Sequence, residues 1–282
     1  MQIISAKDIA LSKLHAAMQD AYSDYAVPMQ FDLAYFEMTL RMRGFRPDLS
    51  QLAMEEGEVA SFWLIGVEPE ARPGAAYAIT VGTRIAHRRR GLAQKLYKEL
   101  VPHAQAANLN HCVLEVIEGN DKAVELYEGL GFDRLVRVEC FKGAPPTEAA
   151  TPAELAFQSV SVNEAHEAGK SFCDWRPTWQ NDTPAMEHIA DNIEATIAAV
   201  DGKPVGFGMV NFKSGSITQF AVDPKWRRKG IAKSMLAHWS KKHDLATLST
   251  GNVPDTDKAA HAFFLSLGWQ NDVNQLVMRA GF

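Results

Sequence analysis

Two copies of one short motif constrain the fold of this chain more than any other feature of its sequence. Residues 88–93 read Arg-Arg-Arg-Gly-Leu-Ala, and residues 227–232 read Arg-Arg-Lys-Gly-Ile-Ala. Each hexapeptide is followed by a second matching segment that ends in Leu-Gly-aromatic, at residues 120–132 and 257–269. Because the two segments recur in the same order, we expect the chain to contain two copies of one domain.

A stretch of small residues with three prolines separates the two copies. It shows no apolar periodicity, so we interpret residues 144–152 as a linker. The chain has 282 residues, which is long enough for two domains that each bury a core. We therefore expect an N-terminal domain at residues 1–143 and a C-terminal domain at residues 153–282.

The composition argues against several classes of protein. Lys and Arg number 29 against 34 for Asp and Glu, and the net charge of −5 argues against nucleic acid or a membrane surface as a partner. Three cysteines are too few for a disulfide framework, and the histidines lack the spacing of metal ligands. The N-terminus has no signal-peptide pattern, and no apolar run is long enough to span a membrane. We expect a soluble cytoplasmic protein without a metal site, and the sequence does not indicate its oligomeric state.

Apolar spacing predicts the same order of helices and strands in both halves. In the first half it predicts helices at residues 6–23 and 33–43 and strands at residues 59–67, 75–85, 111–117 and 135–141. In the second half it predicts a helix at residues 186–200 and strands at residues 204–212, 216–222, 245–249 and 275–278. A further helix follows each hexapeptide, and a short helix precedes each Leu-Gly-aromatic. The expected fold class is α/β (α+β), with a mixed, mostly antiparallel sheet and flanking helices in each half.

Each hexapeptide lies where a strand runs into a helix, and such a junction is suited to bind an anion. The first N–H groups of a helix have no partner within the helix and point towards the incoming loop. Gly91 and Gly230 lack the Cβ that would keep a phosphate away from the backbone, and Arg88 and Arg227 add a positive charge. The sequence therefore predicts a pyrophosphate site in each half, with a solvent-facing run of charges as the alternative.

On these motifs, both halves resemble the GNAT superfamily of acyl-CoA-dependent N-acetyltransferases, and the resemblance covers nearly the whole chain apart from the linker. In that superfamily the Arg/Gln-x-x-Gly-x-Gly/Ala loop wraps the pyrophosphate of coenzyme A, and the pantetheine arm lies between two splayed central strands. The resemblance implies acetyl-CoA as the cofactor, with a set of binding residues in each half. In the first half this set is Thr83, Ile85, Arg88, Arg89, Arg90, Gly91, Leu92, Ala93 and Asn120. In the second half it is Val222, Arg227, Arg228, Lys229, Gly230, Ile231, Ala232 and Asn252.

Acetyl transfer to an amine needs one group that receives the proton of the amine and another that protonates the departing thiolate. By resemblance, Tyr127 stands at the position of the family's tyrosine and is the candidate for the second role. Glu115 lies on the strand beside the splay and is the candidate general base, directly or through water, with Glu118 as the second choice. The alternative interpretations are that Tyr127 is a packed aromatic residue and that Glu115 is a solvated or ion-paired strand residue.

The second half departs from the family pattern at two positions. Asp257 stands where the family has Asn, although Asn252 is nearby, and Phe264 stands where the family has Tyr. We therefore expect the N-terminal copy to be catalytic and the C-terminal copy to be degenerate or differently specialised.

The expected function is transfer of an acetyl group from acetyl-CoA to a primary amine of a small molecule or peptide, by direct attack. The first helices and the loops that follow them are the expected acceptor site, at residues 21–29 and 174–179. A non-catalytic acyl-CoA-binding or regulatory protein is the alternative from another class. A further alternative places the active site in the C-terminal copy, where water or Asp255 and Asp257 would transfer the proton.

Overall fold

The computed structural model divides the chain into two compact units and describes residues 1–25, 31–147, 150, 152 and 154–282. Unit 1 contains Met1–Leu135 together with Val277–Phe282, and unit 2 contains Val136–Leu276. Parts of the predicted acceptor loop (residues 26–29) and of the predicted linker (residues 148, 149 and 151) lie outside the described residues. Each unit is built mainly from one of the two sequence copies.

Unit 1 is a mixed sheet with flanking helices. Its strands are β1 (Gln2–Ser5), β2 (Gln51–Glu55), β3 (Glu58–Val67), β4 (Ala75–Thr83) and β5 (His111–Ile117), and its helices are α1 (Leu11–Ala21), α2 (Leu33–Met42), α3 (Leu92–Ala106) and α4 (Asp121–Glu128). Neighbouring strands from β1 to β4 pair antiparallel, whereas β4 and β5 are parallel. Val277–Phe282 complete the unit beside β5, and there the N–H of Phe282 donates to the carbonyl of Asn110 at 3.0 Å.

Unit 2 repeats this arrangement. After β6 (Asp133–Gly143), its elements are β7 (Leu155–Val160), α5 (Val162–Gly169), α6 (Thr183–Glu187), β8 (Ile193–Val200), β9 (Lys203–Asn211), β10 (Ser216–Val222), α7 (Ile231–His243), β11 (Leu248–Pro254), α8 (Lys258–Ser266) and the start of β12 (Gln270–Gly281). The strands from β7 to β10 pair antiparallel in order, and β10 pairs parallel with β11. Residues 138–143 of β6 pair antiparallel with β11.

The two units differ from the predicted domains in their last strands. The sequence places residues 136–143 in the N-terminal domain, but the structure has them in unit 2, where β6 pairs with β11. Residues 277–282 belong to unit 1 and not to the C-terminal domain. The alternation of apolar residues indicates which face of a strand is buried, but it does not indicate which strand lies beside it.

The helix predicted at residues 186–200 is wrong. Helix α6 ends at Glu187, and Ile193–Val200 form β8. This strand has β7 and β9 as antiparallel neighbours, and their ladder hydrogen bonds outweigh the helical preference of its alanines. The helix predicted at residues 6–23 is shorter than expected, since β1 and a 3₁₀ turn precede Leu11.

Several strands have bounds that differ from the predicted ones. The strands predicted at residues 245–249 and 275–278 are Leu248–Pro254 and Gln270–Gly281. Strands β1, β2 and β7 are not among the predicted elements. All three are short, so they give little periodicity to recognise.

The parallel strands of each unit part after a few residues, and this opening positions the site. Strands β4 and β5 pair only at residues 75–77 with residues 111–113. Strands β10 and β11 pair only at Ser216 and Ile217, with Ser249 and Thr250 as partners. Within the described residues no later pair joins these strands, so each unit has a wedge-shaped cleft between its central strands.

Aromatic side chains fill the core beside this cleft. In unit 1 the ring of Trp63 is completely buried and lies 4.8 Å from the ring of Tyr97 and 6.0 Å from that of Tyr127. In unit 2 the ring of Phe264 stacks on Trp269 at 5.1 Å. Of the helices that the described residues form, none has the length and apolar character needed to cross a membrane.

Candidate functional site

The loop between β4 and α3 has the same backbone geometry as the loop between β10 and α7. Arg89 and Gly91 have positive φ values of 63° and 70°, and Arg228 and Gly230 have values of 64° and 79°. The two glycines are the N-cap residues of α3 and α7, and among the described residues no side chain caps either helix. The N–H groups of both first turns are therefore available, and the alternating backbone makes a concave anion site.

The apolar residues of the hexapeptides belong to the core. Leu92 is 3% exposed and Ile231 is 1% exposed, and their apolar side chains carry no group that could hydrogen-bond a phosphate. Ala93 and Ala232 are half-buried and small. These four predicted residues can offer a phosphate their backbone N–H groups only.

The sequence predicts a phosphate as the partner of Arg88. In the structure its guanidinium forms hydrogen bonds with groups of the protein. Its two terminal nitrogens, Nη1 and Nη2, donate to the two carboxylate oxygens of Asp24, each at 2.7 Å. Nη2 also donates to the carbonyl of Ala21 at 2.9 Å, and Nε donates to the carbonyl of Thr83 at 3.4 Å. The pKa of Asp24 is lowered mainly by this hydrogen-bonded guanidinium. Arg88 thus ties the end of β4 to the segment after α1, and its contact with phosphate stays a prediction.

Arg227 makes the corresponding contacts in unit 2. Its Nη2 donates to the carbonyl of Phe172 at 3.1 Å and lies 2.9 Å from a carboxylate oxygen of Asp174. Its Nε donates to the carbonyl of Val222 at 3.0 Å. Both units therefore use the first arginine of the hexapeptide to hold the loop together.

The other basic residues of the loops divide into two groups. Arg90 donates to both carboxylate oxygens of Glu55 at 2.7 and 2.8 Å, and the ammonium of Lys229 lies 4.3 Å from the ring centroid of Trp226. Arg89 and Arg228 are exposed, and neither side chain makes a hydrogen bond or ion pair with any residue that the structure describes. Contact of these two guanidinium groups with a phosphate stays a prediction.

The predicted cofactor contacts at the strand ends are partly occupied by the protein. Thr83 is expected to offer its backbone to the cofactor, but its carbonyl accepts from Nε of Arg88 at 3.4 Å. The N–H of Ile85 donates to Asp20 at 3.0 Å, so this backbone group is not open to a ligand. The carbonyl of Val222 accepts from Arg227.

Asn120 and Asp257, not Asn252, occupy equivalent positions in the two units. Asn120 is the N-cap of α4 and accepts from the N–H of Ala123 at 3.3 Å. Asp257 is the N-cap of α8 and accepts from two N–H groups of the first turn at 3.1 and 3.0 Å. Asn252 is completely buried, donates to Thr178 at 2.7 Å and accepts from Gln275 at 2.8 Å. Its side chain has no surface for a cofactor, which corrects the prediction made for it.

Tyr127 and Glu115 both lie beside the opening of β4 and β5. Tyr127 is 8% exposed, packs against Trp63 and Phe132, and has its pKa raised by burial. Glu115 is half-buried on β5 and accepts a hydrogen bond from Tyr77 of β4. Burial and this carboxylate both raise the pKa of Tyr77. Tyr127 thus keeps its proton at neutral pH, and Glu115 has a fixed orientation.

Strand register identifies the counterparts of these residues in unit 2. Thr83 and Val222 each precede the loop arginine by five residues, so Tyr77 corresponds to Ser216. Tyr77 pairs with Val113 on β5, and Ser216 pairs with Ser249 on β11. Two residues after these partners lie Glu115 in unit 1 and Gly251 in unit 2, which are therefore equivalent. The repeated segment aligns Tyr127 with Phe264 in the same way. At the positions equivalent to Tyr127 and Glu115, unit 2 therefore has neither a phenol nor a carboxylate.

Unit 2 contains a cavity of about 820 Å³ between its diverging strands. Its wall includes the loop residues Arg228 and Gly230, together with Trp175, Phe264 and Gly251. The volume lies within the range of about 300–1,000 Å³ that is typical of small-molecule and cofactor sites. The cavity joins the anion site to the opening between β10 and β11.

Two family models match this chain, and together they cover most of it. A model described as "Acetyltransferase (GNAT) family" matches residues 13–132, and one described as "Acetyltransferase (GNAT) domain" matches residues 191–271. The chain belongs to the GNAT acetyltransferase family. Membership of this family supports acyl-CoA-dependent acetyl transfer as the general chemistry of the GNAT units, and acetyl-CoA is the cofactor that the family generally binds. None of the curated proteins compared by sequence matches the chain significantly.

Solved structures share the fold of nearly the whole chain at low sequence identity. A tandem GNAT protein from the clavulanic acid biosynthesis pathway has a TM-score of 0.70 and 14% identity, with 99% of this chain and 98% of that chain covered. A GCN5-related N-acetyltransferase from Sphaerobacter thermophilus has a TM-score of 0.71 and 13% identity, with 99% and 95% covered. A putative acetyltransferase from Pyrococcus horikoshii has a TM-score of 0.68 and 16% identity, with 100% and 89% covered. At these identities the similarity establishes the fold.

The contacts that organise each GNAT cleft are not among those predicted from the sequence. Asp24 and Asp174 lie in the segments expected to bind the acceptor, but each pairs with the arginine of its own loop. Tyr22 also lies there, and its hydroxyl donates to the carbonyl of Val81 on β4 at 2.7 Å. Burial raises the pKa of Tyr22 to about 12. The shared order of aspartate then aromatic residue in residues 24–25 and 174–175 is the only sequence signal that points to these contacts.

Proposed function

We propose that this GNAT protein transfers an acetyl group from acetyl-CoA to a primary amine of a small molecule or peptide, and that unit 1 performs the transfer. One observation carries the proposal: unit 1 has both acid–base candidates, and unit 2 has neither, although the two loops share one backbone geometry. Tyr127 and Glu115 of unit 1 correspond to Phe264 and Gly251 of unit 2.

The two loops fit the diphosphate of the proposed cofactor. Each offers uncapped helical N–H groups in a left-handed loop, together with one exposed guanidinium. The residues that would hold the diphosphate are Arg89, Leu92 and Ala93 in unit 1 and Arg228, Ile231 and Ala232 in unit 2. When bound, acetyl-CoA supplies the acetyl group as a thioester, which is reactive towards amines.

The side chains of unit 1 supply the two proton positions that transfer requires. Burial raises the pKa of Tyr127 further above the neutral range, so its Oη is protonated and can donate to an anion more basic than itself that develops beside it. The carboxylate of Glu115 can accept a proton from an amine, directly or through water, while the hydroxyl of Tyr77 holds it in place. In unit 2 we propose binding of acyl-CoA without transfer.

Replacing Tyr127 by Phe tests this assignment. The ring contacts with Trp63 and Phe132 remain, so we expect normal folding and nearly unchanged acetyl-CoA affinity. A general acid typically contributes about 10²–10⁴-fold to the rate, or roughly 3–5 kcal/mol of barrier, and kcat should fall by that factor. The assay is release of free thiol from acetyl-CoA across a library of amines. Phe264→Tyr is the matched control, and it should not restore activity to the Tyr127→Phe chain.

Two outcomes would contradict the proposal. An unchanged kcat in Tyr127→Phe, with chemistry limiting turnover, would remove the general-acid role of Tyr127. A large loss of kcat in Phe264→Ala, with the fold intact, would move the transfer to unit 2.

A non-catalytic acyl-CoA-binding protein is the second candidate function, and the cavity of unit 2 favours it. That cavity includes the loop but has Phe264 and Gly251 in place of the acid–base candidates. Binding of acetyl-CoA in both units, with no thiol release for any amine of the library, would establish this function instead.

A further inference from the structure

A short segment in each unit connects the two sides of the cleft between the diverging strands. We define the strap of unit 1 as Asp24 and Tyr25, and the strap of unit 2 as Asp174 and Trp175. The aspartate of each strap pairs with the loop arginine that follows β4 or β10. The aromatic residue of each strap forms a hydrogen bond with the N-cap residue that follows β5 or β11. Each strap therefore links the loop after one diverging strand to the helix after the other.

We propose that the two straps position the walls of the acyl-CoA cleft, so that Asp24, Tyr25, Asp174 and Trp175 are positioning residues for cofactor binding. The proposal rests on the proposed function in so far as the cleft takes acyl-CoA. It does not require transfer in either unit.

The ion pairs of the straps are suited to positioning and contribute little to stability. The side chains of Arg88 and Asp24 are 38% and 53% exposed, and ion pairs with that exposure stabilise a fold only slightly. The pair is nevertheless bidentate, with two distances of 2.7 Å, and this geometry fixes the direction of the guanidinium plane. Within the described residues, strands β4 and β5 share no ladder hydrogen bond after Tyr77 and Val113. The strap supplies a connection that the sheet does not.

The same contact is built with opposite donors and acceptors in the two units. In unit 1 the amide of Asn120 donates to the hydroxyl of Tyr25 at 3.1 Å, while its oxygen caps α4. In unit 2 the indole N–H of Trp175 donates to one oxygen of Asp257 at 2.9 Å, while the other oxygen caps α8. A tyrosine hydroxyl can donate or accept, but an indole N–H can only donate. Trp175 therefore needs the second carboxylate oxygen of Asp257, whereas Tyr25 is compatible with Asn120.

The strap of unit 2 lies directly on the cavity. Asp174, Trp175, Arg227 and Asp257 all form part of the cavity wall. A change in the hydrogen bond between Trp175 and Asp257 therefore changes the shape of the space into which a ligand must fit.

The difference between the two hydrogen-bonded pairs can be tested by replacing the pair of one unit with that of the other. In Asp257→Asn the remaining oxygen caps α8, and the new amide group faces the indole N–H, donor against donor. Adding Trp175→Tyr recreates the pair that unit 1 uses. We expect Asp257→Asn to weaken acetyl-CoA binding at unit 2 by about tenfold, because the half-buried indole N–H then faces a donor, and the double variant to bind within about twofold of the wild type.

Titration calorimetry of the full chain with acetyl-CoA is the measurement, with the melting temperature of every variant recorded. Ser161→Ala is the matched control, because it removes the N-cap of α5, with its hydrogen bonds to Glu164, and no strap contact. It should lower the melting temperature and leave the affinity unchanged. In unit 1 the corresponding experiment compares Tyr25→Trp with Tyr25→Trp/Asn120→Asp, which recreates the pair of unit 2.

The results distinguish failure of the straps from failure of the proposed function. Unchanged affinity in both Asp257→Asn and Tyr25→Trp overturns the role of the straps while the proposed function stands. Double variants that bind as weakly as the single ones also overturn that role, because donor and acceptor matching then has no effect on binding. A wild-type chain that binds no acetyl-CoA overturns both proposals.

Discussion

Replacing Gly91 by alanine should weaken acetyl-CoA binding at unit 1 by about 5- to 30-fold. Gly91 has a φ of 70°, and a Cβ added there would meet only Oε1 of Gln94, at 3.9 Å. The new methyl group therefore meets no steric clash. The remaining free-energy cost is that of holding an alanine in the left-handed conformation, about 1–2 kcal/mol. In the free protein the loop can relax out of this conformation, so the cost of restoring it falls on binding. At about 1.4 kcal/mol for each factor of ten, that cost gives the expected range.

Gly57→Ala is the matched control for this variant. Gly57 has a φ of 80°, nothing lies within 4 Å of an added Cβ, and it is in the turn between β2 and β3. It introduces the same kind of backbone strain at a site away from the anion loop, so acetyl-CoA affinity should stay unchanged. In unit 2, Gly230→Ala is the corresponding loop variant and Gly202→Ala is its control, and the two glycines have φ values of 79° and 72°.

Titration calorimetry should show up to two acetyl-CoA sites per chain, each weakened by the alanine variant of its own loop. Affinities in Gly91→Ala and Gly230→Ala that equal those of Gly57→Ala and Gly202→Ala would refute the anion-loop reasoning. So would a stoichiometry of zero in the wild type.

Three further predictions concern stability and domain organisation. Hydrogen bonds from Arg90 lower the pKa of Glu55 from its ordinary value of 4.5 to about 2, so this carboxylate stabilises the fold above pH 4.5 and loses that effect as the pH falls towards 2. The melting temperature of Glu55→Gln should therefore vary less over this range, and a pH dependence equal to that of the wild type would contradict the prediction. Gly208→Ala would place a Cβ 2.5 Å from the buried ring of Trp239 and should lower the free energy of unfolding by about 1–3 kcal/mol in urea titration, whereas an unchanged midpoint would show that the ring can move aside. Limited proteolysis should cut the chain within residues 144–152, and cleavage at the termini alone would argue against a linker there.

The anion loops could be predicted because their chemistry is local. A glycine at the N-terminus of a helix, followed by residues with helical spacing, specifies uncapped N–H groups without reference to the rest of the chain. The structure has left-handed glycines at Gly91 and Gly230, as this reasoning requires. The second occurrence of the motif, together with the Leu-Gly-aromatic segments, was enough to indicate two GNAT copies.

The partners of the loop arginines could not be predicted, because they lie far away along the chain. Arg88 and Asp24 are 64 residues apart, and a sequence gives no distance between such positions. Spacing and charge favoured a phosphate as the partner of Arg88. In the folded chain its guanidinium instead pairs with the carboxylate of Asp24. Of the loop arginines, the structure identifies Arg89 and Arg228 as the two whose side chains have no partner among the described residues. Spacing alone does not distinguish them from their neighbours.

The sequence by itself determined the two copies, the order of most of their elements and the loop that each copy presents to an anion. Tertiary structure decided which strand completes each unit, since residues 136–143 belong to unit 2 and residues 277–282 belong to unit 1. It also decided that Ile193–Val200 form a strand, against the helical preference of the alanines there. The physical reason is the same in both cases: a strand is stabilised by hydrogen bonds to its neighbours, and the identity of those neighbours is a property of the folded chain and not of the segment.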